Sequence, residues 1–216
     1  NPDELVPPLE SVRSSAPPVY DVRNARDQRC MVGSEQRDNA GWCLYGVTEG
    51  YDYTVALLGA SHSAQWLPAL QIVAEQENWR ILTLVATDCN FVSVHPSRSR
   101  YENCELVSER MLNETIEMRA DAVFTVANEG EEEMSGEPRL GPWRVLDQVD
   151  IPVFALRDNP WFEDDPSSCV AENLDNPVAC DVPRDSVLAA NFELGDAPDN
   201  VTLIDLSNQW CGAEYC

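Results

Sequence analysis

Five short apolar runs, separated by stretches with helical spacing, constrain the fold of this chain more than any other feature. The runs cover residues 54–58, 81–85, 122–126, 153–156 and 201–206. Uninterrupted runs of this length are typical of strands that are buried on both faces. The intervening stretches predict a helix that carries Pro68 in its first turn, and further helices over residues 105–119, 139–149 and 184–193. This alternation predicts an α/β fold, a three-layer α/β/α sandwich with about five parallel strands.

The first fifty residues differ in composition from the rest of the chain. They contain the pairs Pro7-Pro8 and Pro17-Pro18, which interrupt any regular element. We therefore predict an extended linker arm over residues 1–50, ending in a small loop between Cys30 and Cys43. A folded domain over residues 51–216 follows it.

Cysteine usage indicates the compartment. The eight cysteines form four neighbouring couples: Cys30 and Cys43, Cys89 and Cys104, Cys169 and Cys180, and Cys211 and Cys216. The chain has no Cys-x-x-Cys motif and only two histidines, His62 and His95. These residues do not make a typical set of zinc ligands, so we expect no metal and no cofactor. An even number of cysteines without metal-binding spacing predicts a disulfide within each couple, stapling surface loops in an oxidising compartment.

Charge and hydropathy argue against two classes of partner. Against 38 acidic residues the chain has 14 arginines and no lysine, which gives a net charge of −24. A surface of this sign repels a phosphate backbone, so no nucleic-acid partner is expected. The sequence has no run of about 18 apolar residues that could cross a bilayer.

Polar residues follow each predicted strand. They are Ser61, Asp88, Asn128, Arg157 and Ser207. Because parallel strands end at one edge of a sheet and ligands bind beyond that edge, these residues predict a site there. Ser61 would stand at a helix N-terminus, where free N–H groups stabilise a developing oxyanion. From the residues alone, Ser61 is either a nucleophile or only a helix cap.

The residues around Ser61 carry a specific resemblance. Positions 58–70 read Leu-Gly-Ala-Ser-His-Ser-Ala-Gln-Trp-Leu-Pro-Ala-Leu. This string resembles the first block, G-D-S-H-[AS]-x-x-W-x-P-A-L, of the SGNH (GDSL-like) hydrolase-fold domains fused to bacterial membrane-bound acyltransferases of the O-antigen and cell-envelope type. The likeness spans essentially the whole chain, including Asp88-Cys89, the loop Arg157-Asp158-Asn159-Pro160, and the ending Ile204-Asp205-Leu206 with Cys211 and Cys216.

The resemblance implies both a fold and a role. It implies a flavodoxin-like sheet with Ser61 as the catalytic nucleophile. It also implies an extracytoplasmic position, in the periplasm or on the outer face of the cytoplasmic membrane, tethered to a multi-pass acyltransferase domain N-terminal to this chain. Ser61 would then take an acyl group, expected to be acetyl, and pass it to a hydroxyl of an envelope glycan or glycolipid.

The chain departs from the family pattern at three places. Ala60 replaces the usual Asp, which in such domains is mainly a turn and packing residue. No Gly follows the second strand to complete an oxyanion hole, and Asn128 is either a donor to that hole or an ordinary loop residue. The general base of the family, in an Asp-x-x-His motif, would follow Cys216. We expect either that the motif lies beyond Cys216 or that the domain is inactive.

The remaining polar residues have less direct expected roles. Ala60, His62 and Asn128 are expected to line the site. Because adjacent helical residues face different directions, His62 is not expected to be the base for Ser61; it either lines the crevice or makes a structural hydrogen bond. His95 is expected on the surface. The carboxylates Asp158, Glu163, Asp164 and Asp165 predict a solvated loop rather than a glycosidase pair.

Three functions stay open at this point. The first is O-acyl transfer through Ser61 to an envelope glycan or glycolipid. The second is a secreted SGNH esterase that passes the acyl group to water. The third is a non-catalytic domain that binds the acceptor glycan and presents it to the membrane partner.

Overall fold

A mostly parallel sheet of seven strands runs through the chain. The computed structural model describes residues 31–32, 42–93, 104–127, 137–188 and 195–216. Within these ranges the strands are β1 (Met31–Val32), β2 (Cys43–Gly46), β3 (Tyr53–Gly59), β4 (Trp79–Ala86), β5 (Ala122–Val126), β6 (Val153–Leu156) and β7 (Val201–Ile204). The helices are α1 (Ser61–Ala64), α2 (Leu67–Glu77), α3 (Cys104–Glu117), α4 (Glu137–Asp147), α5 (Pro166–Glu172), α6 (Arg184–Val187) and α7 (Ser207–Trp210), with a 3-10 helix over Pro177–Cys180.

Strand order places β3 in the middle of the sheet. The order is β1-β4-β3-β5-β6-β7, and every neighbouring pair in it is parallel. Strand β2 is antiparallel and shares an edge of β4 with β1: β1 pairs with residues 85–86 and β2 with residues 80–83. The parallel strands therefore all end at the same edge of the sheet, which we call the carboxyl edge. Helix α1 follows β3 at this edge, and the loop after β6 begins there.

Apolar side chains on β3 point alternately to the two faces of the sheet and bury a helix layer on each. Ala56 and Leu58 belong to the core shared with α3 and α4, to which Met111 and Trp143 contribute. Leu57 lies in the second core, which includes Leu67 and Ala74 of α2. Burial on both faces explains why the run that forms β3 shows no polar alternation. The predicted three-layer α/β/α sandwich is confirmed.

The sheet is larger than the sequence predicted. All five predicted strands are present, but β1 and β2 add two more, and both lie within residues 1–50. Those residues were expected to form an arm outside the folded domain, and β1 and β2 instead pair with β4. Strand β2 escaped prediction because it is only four residues long and half-buried throughout.

Helices α2, α3 and α4 lie where the sequence predicted helices, α7 was not predicted, and two other segments differ from prediction. Helix α6 ends at Val187, since Leu188 adopts extended backbone, and residues 189–193 of the predicted helix lie outside the described residues. The loop after β6, expected to be irregular, contains α5 and the 3-10 helix, which the Cys169–Cys180 disulfide joins. In the described ranges, no helix combines the length and apolar character that crossing a membrane requires.

Disulfides close three of the predicted loops. They join Cys89 to Cys104, Cys169 to Cys180, and Cys211 to Cys216. Cys43 is also disulfide-bonded. Its predicted partner, Cys30, lies outside the described residues.

Candidate active site

The chain turns sharply between β3 and α1, and this turn requires glycine. Gly59 has a φ of +123°, which strains any L side chain, and a Cβ at this position would lie 2.5 Å from Ser63 Oγ. Ala60 then adopts extended backbone, and its carbonyl oxygen accepts hydrogen bonds from the N–H groups of Ser63 and Ala64. Helix α1 consequently begins at Ser61, as the sequence predicted.

Ser61 lies beyond the carboxyl end of the central strand, with its side chain exposed to solvent. Ala60 beside it is only 1% exposed, so any contribution of Ala60 to the site comes from its backbone. Among the described residues, the Ser61 hydroxyl has no hydrogen-bond partner. His62 is thus not paired with Ser61 as a base.

The buried carboxylate of Asp158 holds His62, the residue after Ser61, in place. Asp158, two residues after β6, is 2% exposed. From described residues its oxygens accept three hydrogen bonds: from His62 Nδ1 at 2.9 Å, from Trp161 Nε1 at 2.8 Å and from the Asn159 N–H at 2.9 Å. Because a carboxylate only accepts, His62 carries a hydrogen on Nδ1. Three donors offset the cost of burying this charge.

Two further contacts fasten the loop after β6 onto the segment that follows Ser61. The imidazole of His62 and the indole of Trp161 are stacked, with ring centroids 4.8 Å apart and planes 9° apart. Gln65 Nε2 donates a hydrogen bond to Asn159 Oδ1 at 2.7 Å. We call His62, Gln65, Asp158, Asn159 and Trp161 the rim cluster. It forms part of the carboxyl edge beside the exposed hydroxyl.

The rim cluster corrects one prediction and answers an open question. Asp158 was expected in a solvated loop and is instead buried, whereas Glu163, Asp164 and Asp165 are exposed as predicted. His62 makes the structural hydrogen bond that was one of its two expected roles, and it does so at the rim. Two signals for Asp158 were present in the sequence: its place in the loop that carries the family resemblance, and Trp161, an indole donor three positions away.

An ion pair joins the ends of β6 and β7. Arg157 Nη1 lies 2.9 Å from Asp205 Oδ2, and the Ser207 N–H donates to Asp205 Oδ1 at 2.8 Å, which starts α7. Burial acts to raise the pKa of Asp205, but the hydrogen bonds from Ser207 and the Arg157 guanidinium outweigh it, so the pKa lies below its usual value. This pair joins the segments that follow β6 and β7 at the carboxyl edge.

Besides Cys30, two predicted residues lie outside the described residues: Asn128 and His95. The role of Asn128 as an oxyanion donor therefore stays a prediction. The strand that leads to it is tied to α1, because the Val126 N–H donates to Ser63 Oγ at 3.0 Å. The carboxyl end of β5 is thus anchored next to the helix that carries Ser61.

The described part of the chain offers no arrangement of three or more His, Cys, Asp or Glu side chains that could hold a metal ion. What it offers beyond the carboxyl end of the central strand is an exposed hydroxyl, a fixed imidazole and an exposed indole. An exposed hydroxyl at a strand-to-helix turn can act as a nucleophile once a base takes its proton.

Comparisons with known proteins agree with this geometry. A family model described as "SGNH domain (fused to AT3 domains)" matches residues 29–216. No curated protein matches the chain. Among solved structures, the periplasmic domain of a lipopolysaccharide acetyltransferase from Salmonella ser. Paratyphi A is similar, with a TM-score of 0.54 and 13% identity over 94% of this chain and 85% of that one. At this identity the similarity shows a shared fold.

Proposed function

The chain belongs to the family of SGNH domains fused to AT3 domains, and from that premise we propose that it is an O-acyltransferase domain with Ser61 as its nucleophile. The observation that carries the proposal is the position of Ser61: an exposed serine at a strand-to-helix turn on the carboxyl edge of the central strand. Active sites of open parallel sheets lie at that edge.

The proposed reaction passes an acyl group, which we expect to be acetyl, through one serine in two steps. Ser61 Oγ attacks the carbonyl carbon of an acyl donor, the bond from that carbon to the donor breaks, and the serine proton passes to a base. A sugar hydroxyl then attacks the serine ester, the bond to Ser61 Oγ breaks, and a proton returns to the serine. The acceptor is a hydroxyl of an envelope glycan or glycolipid. The residue that acts as this base stays a prediction.

We propose an extracytoplasmic position and a membrane acyltransferase domain as partner. Disulfides persist in oxidising compartments, and three are present in the described residues. Fusion to AT3 domains is a property of the family, and the similar solved domain is periplasmic. The AT3 domain would deliver the acyl group, and this domain would transfer it to the acceptor.

Two observations favour a second candidate, a non-catalytic domain that binds the acceptor. The Ser61 hydroxyl has no base beside it in the described part of the chain, and Ala60 replaces the usual Asp. An esterase is a third candidate, which would use the same acyl-serine and differ only in passing the acyl group to water.

The test is Ser61→Ala in the full-length protein, with ester-linked acyl groups on the envelope glycan measured by NMR. We expect acylation to fall by about a thousandfold or more, as in other nucleophile replacements. Unchanged acylation would overturn the nucleophile assignment and leave the acceptor-binding role. Release of free acid by the parent protein without glycan acylation would identify the esterase.

Ser186→Ala is the matched control. Ser186 is also exposed and lies on a short helix, where its hydroxyl donates to the Pro183 carbonyl oxygen at 2.6 Å. It lies outside the rim cluster, so this variant is expected to acylate the glycan as the parent does.

A further inference from the structure

We infer that Trp161 is a stacking platform for an uncharged sugar ring of the acceptor, next to the nucleophile. The inference rests on the proposed function, because it assigns the acceptor subsite of the same site. It is carried by the exposure, fixation and surroundings of one indole.

Trp161 is exposed and yet held on three sides. It is 41% exposed, although its Nε1 donates to buried Asp158 at 2.8 Å and its backbone N–H donates to the Val187 carbonyl oxygen at 2.8 Å. Its ring also stacks on His62. An aromatic side chain that is already fixed loses little conformational freedom on binding, so its exposed apolar surface is preorganised for a ligand.

The platform lies beside the reacting group. His62, on which the indole stacks, is the residue immediately after Ser61 in α1. The inference places a ring that rests on Trp161 at the start of α1, with one of its hydroxyls directed towards Ser61 Oγ. Holding an acceptor hydroxyl close to the acyl-serine is the positioning that speeds a transfer step.

Polar groups flank the platform as a sugar requires. Gln65 is exposed and uses one amide hydrogen in its bond to Asn159, which leaves its second hydrogen and its carbonyl oxygen for ring hydroxyls. A pyranose presents polarised C–H groups on its face and hydroxyls around its edge. The C–H groups suit the negative face of an indole, and the hydroxyls suit the amides.

The negative charge around Trp161 favours an uncharged ligand over one that carries phosphate groups. The chain has a net charge of −24, and the loop that carries Trp161 also exposes Glu163 and Asp164. Such a surface repels phosphate groups, whether from a lipid headgroup or a nucleic acid. An uncharged sugar ring is not repelled by this surface.

The test measures binding without turnover. Full-length Ser61→Ala protein in nanodiscs is titrated by calorimetry with the delipidated, de-O-acylated envelope polysaccharide of the source organism. Adding Trp161→Ala is expected to weaken binding about tenfold, and Trp161→Phe to weaken it less than about threefold, because phenylalanine keeps an apolar ring.

Trp210→Ala is the matched control. Trp210 is also exposed, at 51%, but packs edge-on against Trp66, outside the rim cluster. It is expected to change affinity less than about twofold. Two results would overturn the inference. One is equal binding by the Ser61→Ala protein with and without Trp161→Ala, and the other is no measurable binding by the Ser61→Ala protein. Because no acyl group is transferred, the result is independent of whether Ser61 proves to be the nucleophile.

Discussion

His62 Nδ1 lies 2.9 Å from the carboxylate of Asp158, a residue 96 positions later in the chain. This contact ties the helix that begins with the proposed nucleophile to the loop after β6. It fixes the imidazole beside Ser61 and, through Trp161, also fixes an exposed indole. The rim cluster thus links α1 to the loop after β6 at the carboxyl edge of the sheet.

Replacing Asp158 tests how much these hydrogen bonds stabilise the fold. In Asp158→Asn only one of the two terminal atoms still accepts, so at least one of the donors from His62, Trp161 and Asn159 faces an NH₂ group. We expect the free energy of unfolding to fall by about 1–3 kcal/mol, the usual cost of a buried unsatisfied group. Urea unfolding measures it.

Asp164→Asn is the control for this change, because Asp164 lies in the same loop but is exposed. It is expected to alter the free energy of unfolding by less than about 0.5 kcal/mol. Equal effects of the two substitutions would mean that the hydrogen bonds to Asp158 contribute nothing to stability.

The turn before Ser61 makes a second prediction. Gly59→Ala places a methyl group 2.5 Å from Ser63 Oγ at a φ of +123°, so we expect destabilisation of about 3 kcal/mol or more from strain and overlap. Gly50→Ala is the control, since Gly50 has a φ of +69° with nothing within 4 Å of the added Cβ; about 1 kcal/mol is expected there. A Gly59 variant no less stable than the Gly50 variant would contradict the turn geometry.

Acid sensitivity follows from two carboxylates. Hydrogen bonds from Ser168 and Ser167 lower the pKa of Asp165, and those from Ser207 and Arg157 lower the pKa of Asp205 against the effect of burial. Each group therefore stabilises the fold fully above the unfolded pKa near 3.8. That stability is lost as the pH falls through the lower native pKa.

Asp205→Asn removes one of these two contributions. The variant should lose less stability than the parent when urea unfolding is compared at pH 5 and at pH values below about 3. Parallel pH dependence of the two proteins would show that the ion pair with Arg157 and the bond from Ser207 do not favour the charged form.

Five of the strands and the place of Ser61 could be read from the sequence because both depend on local patterns. A strand buried on two faces leaves an unbroken apolar run, and a small-residue turn leaves Gly59 and Ser61 at fixed spacing. The environment of Asp158 could not be read in this way. In the sequence it is one of several acidic residues in a loop, and its burial depends on a donor from α1, 96 positions away.

Strand β2 was missed for a related reason. Four half-buried residues, Cys43–Gly46, make no recognisable pattern, and the strand exists because β4 has an open edge to pair with. Glycine again permits the geometry: Gly46 has a φ of +68°, and a Cβ there would lie 2.7 Å from the Trp79 carbonyl oxygen.

The central claim is that Ser61 is a nucleophile, and covalent trapping tests it most directly. The full-length protein is treated with a fluorophosphonate that labels activated serines, digested, and mapped by mass spectrometry, with Ser186→Ala as the control variant. We predict one labelled residue, Ser61, with labelling kept in Ser186→Ala and abolished in Ser61→Ala. An unlabelled Ser61, under conditions in which a known serine esterase is fully modified, would contradict the account.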